Sequence, residues 1–277
     1  MIKIICTAAL LILLSEIATA QLPRERVQPD DQVETVFWST TNIGISTVQN
    51  LSARNLNTTI AHTFGTTNRG IEQFFGLDDG ANTRLGIDYG ISDTFSIGIG
   101  RMTFDKVVDL RGKYNLMRQT TSENKPIDLA VKLSTGINTT AGIGLEFSDR
   151  LSYLTSFMAA RKFNRLSIQL TPMLAFFNDV DGENENRLFG LGILSQFELN
   201  ERFALGAEYL PVLGDRNPGT EDAIGISLNI DTGGHIFQIL FNSSQWHGEQ
   251  YIMSNNRDQF LDGEFRFGFN IHRVFGL

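Results

Sequence analysis

Residues 81–119 read ANTRLGIDYG ISDTFSIGIG RMTFDKVVDL RGKYNLMRQ. Leu85, Ile87, Tyr89 and Ile91 alternate with Arg84, Gly86, Asp88 and Gly90. Beyond a Ser92-Asp93 turn, Phe95, Ile97 and Ile99 alternate with Ser96, Gly98 and Gly100. Val108, Leu110, Tyr114 and Leu116 then alternate with Asp109, Arg111, Lys113 and Asn115. A period of two is the mark of β-strands. One face is apolar and aromatic; the other carries glycine and full charges.

The same pattern extends over most of the chain. Strands are expected at 55–65, 82–91, 94–104, 107–118, 127–137, 151–163, 166–177, 187–199, 202–212, 223–231, 235–245 and 263–277. Tight turns fall at Ser92-Asp93, Asn164-Arg165, Asn200-Glu201 and Thr232–Gly234, with a longer one at 119–126. The intervening connections, 66–81, 138–150, 178–186, 213–222 and 246–262, are long and polar; only 105–106 is short. Short turns at one end, long loops at the other and an even strand count describe an outer-membrane barrel. Most of the strands reach the roughly 9–11 residues needed to span a bilayer at a tilt. The expected fold is all-β: a transmembrane antiparallel up-and-down barrel of about twelve strands over 55–277.

The N-terminus has the build of a cleaved signal peptide over 1–20. Lys3 supplies the charge, 4–14 the apolar stretch and Ala18-Thr19-Ala20 the cleavage site. Cleavage near Ala20 removes Cys6, the only cysteine. The mature chain then holds no disulfide and no cysteine-based metal site. With the signal removed, residues 21–54 form a periplasmic or lumen-entering lead-in. Within it, Val33–Val48 reads either as a periplasmic strand or as a segment lying inside the barrel. A lead-in of this length is too short for the large plug domain of energised nutrient receptors. The expected location is the outer membrane of a Gram-negative-type bacterium.

Aromatic residues collect near strand ends, as interfacial girdles require. Tyr89, Phe95, Phe163, Phe197, Phe203 and Phe275 fall at the periplasmic end, and Phe64, Phe104, Phe176 and Phe189 at the outer end. In the final strand Phe265, Phe267, Phe269, Ile271, Phe275 and Leu277 share one parity. That strand is the expected signal to the barrel-insertion machinery, although it ends on Leu277 and is interrupted by Arg273. Lipid is the expected partner of the apolar face.

The runs RNLNTTIAHTFG (54–65), FFGLDDG (74–80), RLGIDYGISDTFSIGIGR (84–101) and KYNLMRQ (113–119) resemble an uncharacterised Bacteroidota family of outer-membrane β-barrels, a domain of unknown function. The resemblance is densest over 33–119 and continues to the C-terminus. It implies a barrel in the outer membrane and no particular activity, ligand or catalytic residue.

Candidate functional residues are the charges on the lumen parity: Arg84, Asp88, Asp109, Arg111, Lys113, Asp128, Lys132, Glu198, Glu208, Glu264 and Arg266. Twelve strands spaced roughly 4.8 Å apart and tilted near 40° enclose a backbone radius of about 12 Å. Side chains narrow this to a channel. Such charges either set the selectivity of a pore for ions and small solutes or pair across the interior and brace it shut. Gly86, Gly90, Gly98 and Gly100 share that parity. They either make room for an internal segment or let a small barrel curve. Arg101 breaks parity: a bulge at Gly100-Arg101 turns it inward, or it snorkels to outer headgroups. Pro172 and Pro211 each delete a ladder hydrogen bond, through a strand bend or a locally wrong strand assignment.

Other chemistry is weakly represented. The net charge of −8 and the absence of a basic stripe exclude nucleic acid as a partner. Asp179, Asp181, Glu183 and Glu185 form an acidic loop that could gather Ca²⁺, but it lacks the spacing of a full calcium loop. No metal or other cofactor is expected otherwise. No HExxH, GxSxG or phosphate loop occurs. A hydrolase would need His62 and a serine such as Ser243 together on the lipid face. The expectation is a non-enzymatic passive channel or small-solute porin. The alternatives are a non-conducting structural or partner-binding barrel and, third, an outer-membrane hydrolase.

Overall fold

The computed structural model describes residues 32–276 except residue 34. The signal peptide with Cys6 and Ala20, the start of the lead-in at 21–31, and Leu277 lie outside the described residues. Twelve antiparallel strands follow one another around a closed barrel. They are β1 (Asn55–Thr66), β2 (Asn82–Gly90), β3 (Phe95–Met102), β4 (Val108–Met117), β5 (Asp128–Ile137) and β6 (Leu151–Phe163). The circuit continues with β7 (Leu166–Phe177), β8 (Arg187–Glu198), β9 (Phe203–Leu210), β10 (Ala223–Asp231), β11 (His235–Asn242) and β12 (Arg266–Gly276). Closure is made where β1 meets β12, from Asn55 opposite Gly276 to Thr63 opposite Gly268. A closed sheet leaves no edge, so the spanning backbone pairs within the sheet. Among the described residues no helix is long and apolar enough to cross a membrane.

Strand alternation sorts the side chains as the 81–119 stretch implies. Leu85, Ile87, Ile97, Ile99, Leu110 and Tyr114 are exposed on the outer face, whereas Asp109 and Lys113 are buried inside. The lumen face is not uniformly polar. On β5–β9 it carries an apolar wall built from residues such as Ala130, Leu154, Met158, Met173, Leu188 and Leu194. On β10–β12 and β1 it carries Ser227, Asn229, Gln238, Asn270, His272, Asn57 and Thr59, all buried.

Several local expectations resolve here. β2 and β3 pair in unbroken register from Gly90 opposite Ser96 to Arg84 opposite Met102, so there is no bulge at Gly100-Arg101. Arg101 stays outside, and Met102 turns inward to pack with Val107 and Tyr251. Phe104 follows it towards the interior, edge-on to Trp246 at 5.1 Å, and does not join the outer girdle. Pro172 and Pro211 interrupt hydrogen bonding without shifting register. Pro172 stays opposite Leu191, and Val212–Leu213 continues β9 past Pro211, opposite Gly190 and Phe189.

The connection between β11 and β12 departs from the expected outer loop at 246–262. It folds back into the barrel mouth and carries a short helix, α1 (Glu249–Asn255), with Tyr251, Ile252 and Met253 buried. Across the outer rim, Asp222 accepts from Tyr209 Oη (2.6 Å), Val212 N (3.2 Å) and Arg216 Nη2 (2.7 Å). Burial works against ionisation of Asp222, but these donors and the Arg216 charge hold its carboxyl below the ordinary range.

Candidate functional site

The lumen is occupied by the chain's own lead-in. At the periplasmic end Val33 N–H donates to Gln119 O (2.9 Å), and residues 35–50 run inward from there. They form a tight hairpin closed by Asn42 N–H to Ile45 O (2.9 Å) and Thr47 N–H to Thr40 O (3.0 Å). Phe37, Ile45 and Val48 are buried against the apolar wall of β5–β9. Residues 35–48 thus run inside the barrel.

A segment with few internal hydrogen bonds needs outside partners for its buried backbone. The barrel wall supplies them. At the hairpin tip the Glu208 carboxylate accepts from the N–H groups of Ile43 (2.9 Å), Gly44 (2.8 Å) and Ile45 (3.3 Å). Glu249 of α1 accepts from Ser46 N–H (3.0 Å). Gln169 both accepts from Val48 N–H (2.8 Å) and donates to Ser46 O (2.9 Å). Plug carbonyls are met by Lys113 at Thr47 (3.1 Å), Asn115 at Val48 (3.0 Å), Asn270 at Ile43 (2.9 Å) and Lys162 at Thr35 (3.0 Å). Ser167 donates to Val36 O. Lys132 ties the plug to the outer loop: its ammonium meets Ser46 Oγ at 2.7 Å and both Glu249 oxygens at 2.8 Å.

Glycines shape this fit. A Cβ at Gly192 would stand 3.3 Å from Ile45, one at Gly206 would stand 3.0 Å from Asn42, and one at Gly225 would stand 3.1 Å from Ile43. At Gly90 a side chain would collide with the Ser52 carbonyl, so this glycine makes room for the lead-in. Gly98 and Gly100 instead make room for the flat-lying side chains of Asp88, Arg111, Arg84 and Asp109.

The eleven charges selected from sequence occupy different places. Arg84, Asp88, Asp109 and Arg111 form one chain of ion pairs: Arg84–Asp109 at 2.7 Å, Arg111–Asp109 at 2.5 Å and Arg111–Asp88 at 2.7 Å. Lys113, Lys132 and Glu208 hold the plug as described. Glu198 accepts from Lys162 (2.6 Å) and from the Trp38 indole (3.0 Å) at the periplasmic mouth. Asp128 is buried nearby on β5. Arg266 pairs with Asp258 at 2.5 Å at the outer rim. Glu264 is a correction: it precedes β12, accepts from Gln259 N–H (2.9 Å) in the loop, and contributes nothing to the lumen wall.

Residues not selected from sequence matter as much. Gln169, Asn115 and Asn270 sit on lumen parity, but a neutral polar side chain there carries no sign in the sequence that its partner is plug backbone. Glu249 carries no such signal, because nothing in a polar loop tells that it folds inward. Between the plug, β1–β5 and the 247–251 segment a cavity of about 80 Å³ remains, room for a few waters.

The acidic loop does not assemble a metal site. Among the described residues no three His, Cys, Asp or Glu side chains converge to hold an ion. Nor are His62 and Ser243 brought together. His62 Nδ1 meets Thr83 Oγ1 at 2.7 Å and its ring stacks on Phe269, whereas Ser243, fully buried, accepts from Ile224 N–H at 3.1 Å.

A family model of membrane-bound β-barrel domains (DUF5777) matches residues 37–275. No curated protein matches the chain in sequence. Among solved structures, the NanC porin superposes with a TM-score of 0.52 at 11% identity, over 80% of this chain and 99% of that one. An outer-membrane channel from Pseudomonas putida F1 gives 0.48 at 10% identity, over 82% and 97% of the two chains. Outer-membrane phospholipase A from Escherichia coli gives 0.45 at 11%, over 81% and 91%. At 11% identity the likeness to the NanC porin is one of fold.

Proposed function

This chain belongs to the membrane-bound β-barrel domain family, and on that premise we propose that it is an outer-membrane channel for small solutes that rests closed, with residues 33–50 as its plug. One observation carries the reading: much of the plug backbone is held by polar and charged wall side chains. Such contacts are exchangeable, because water can replace a hydrogen-bond partner at little net free energy. If the plug withdraws, Glu208, Gln169, Lys113 and Asn270 remain as a wettable wall. On this reading the chain catalyses no reaction, and β12 is the strand that the insertion machinery reads.

The apolar packing of Phe37, Ile45 and Val48 on β5–β9 favours a second reading, a barrel permanently closed and used for partner binding. Planar-bilayer recording separates the two. The mature protein should show rare or small current steps, and a variant lacking residues 33–50 should show steady, discrete conductance. In that variant Arg111→Gln or Lys113→Gln should shift the reversal potential towards cation selectivity. A deletion variant that is folded, as judged by heat-modifiable migration, and yet silent would sink the channel reading.

A further inference from the structure

Arg84 on β2 and Arg111 on β4 lean over β3 from opposite sides. Their carboxylate partners use only part of each guanidinium. Arg84 gives Nε (3.0 Å) and Nη2 (2.7 Å) to Asp109. Arg111 gives Nε to Asp88 (2.7 Å) and Nη1 to Asp109 (2.5 Å). Among the described residues no protein acceptor meets Arg84 Nη1 or Arg111 Nη2. Both of these nitrogens lie over Gly86: a Cβ built there would stand 2.9 Å from the first and 3.2 Å from the second. Two unused guanidinium nitrogens therefore lie side by side against Gly86, whose missing side chain lets both arginines lie flat there.

Both arginines line the residual cavity. The surrounding charge is unbalanced. Arg84, Arg111, Lys113 and Lys132 line the cavity against only Asp88, Asp109 and Glu249, four cations to three carboxylates. Guanidinium groups match the oxygens of carboxylates and phosphates in shape as well as charge. Away from bulk water such charge-assisted bonds are strengthened.

We propose that the fork between Arg84 and Arg111 is a binding site for a small oxyanion, a carboxylate or a phosphate. The site would neutralise the extra cation among the charges that line this cavity, and it does not depend on the barrel conducting. Because the cavity is covered by the plug and by the 247–251 segment, the ligand would enter during folding or when one of these moves.

The test uses the mature chain refolded into detergent micelles, in sodium chloride alone and with sodium acetate or sodium phosphate at matched ionic strength. Calorimetric titration and thermal unfolding are then read for each anion. The expected result is saturable binding of acetate, phosphate or both at one site, with the unfolding midpoint rising as ligand concentration rises. Gly86→Ala pushes a methyl group against both guanidinium groups, displacing them from each other's side, and removes no charge; it should weaken binding at least tenfold. Arg111→Lys keeps the charge and loses the fork, and should do the same in a barrel that still migrates as folded. Arg101→Gln, which removes a cation from the outer face, should leave binding unchanged. No saturable binding under either refolding condition, or binding that persists unchanged in both Gly86→Ala and Arg111→Lys, would overturn the proposal. A response that only tracks ionic strength would count against it equally.

Discussion

Glu208 makes no ion pair among the described residues; its carboxylate is held by three consecutive backbone N–H groups at the plug tip. A buried anion needs donors where it lacks a cation, and a hairpin tip needs an acceptor for N–H groups that its own turn cannot satisfy. Each half of this contact therefore answers the other's deficit. Glu208→Ala strips the acceptor from all three amides, and a buried donor left unpaired costs about 1–3 kcal/mol. Hydrogen–deuterium exchange should show faster exchange at Ile43, Gly44 and Ile45 in that variant, with Glu208→Gln between it and the wild type. Protection unchanged in Glu208→Ala would mean that apolar packing alone holds the plug. At this scale sequence was a partial guide. Glu208 could be selected because it sits on lumen parity, but its partners are backbone atoms of a segment more than 160 residues away in the chain, and backbone atoms carry no sequence signature.

At the scale of the element, β2–β4 were legible almost to their ends, because a half-lipid, half-lumen strand must alternate. β6 was less so. Its outward Tyr153 and Phe157 and its inward Leu154 and Met158 make both faces apolar, so alternation does not tell which one packs on a plug. Arg101 illustrates the converse. Its charge suggested a bulge, but a ladder in which Gly86 meets Gly100 and Leu85 meets Arg101 is kept intact, because a long side chain can carry its charge to the headgroups more cheaply than a strand can surrender its register. Depth then sets tolerance. Ile97→Arg on the lipid face should cost about 2–4 kcal/mol near the midplane, whereas Arg101→Ile at the outer end should change stability by less than about 1 kcal/mol. Urea unfolding of the refolded barrel in lipid vesicles would measure both; equal costs at the two sites would contradict the assigned depth.

Over the whole molecule, the lumen is closed by two segments, the plug and α1, meeting inside the sheet. The plug arrives from the periplasmic side and α1 from the outer side, and Lys132 on β5 joins them through Ser46 and Glu249. Lys132 and Glu249 are both nearly inaccessible, with side-chain exposures of 7% and 2%. Removing one partner of such a pair leaves a buried charge and costs about 3–5 kcal/mol. Lys132→Met should lower the temperature of the gel-shift transition and raise the frequency of current steps, and Lys132→Met with Glu249→Gln should recover much of the stability. Failure of the double variant to recover would show that the pair contributes more than mutual neutralisation. The strand count, the loop asymmetry and the assignment of lipid and lumen faces along β2–β4 were determined by sequence alone, because the membrane imposes a period of two on every spanning strand and that period survives in one dimension. What fills the lumen was decided only by tertiary structure. The plug backbone, the inward fold of 243–256 and the convergence of Arg84 and Arg111 over Gly86 depend on which atoms meet across a closed barrel, and closure brings together residues whose separation along the chain carries no periodic trace.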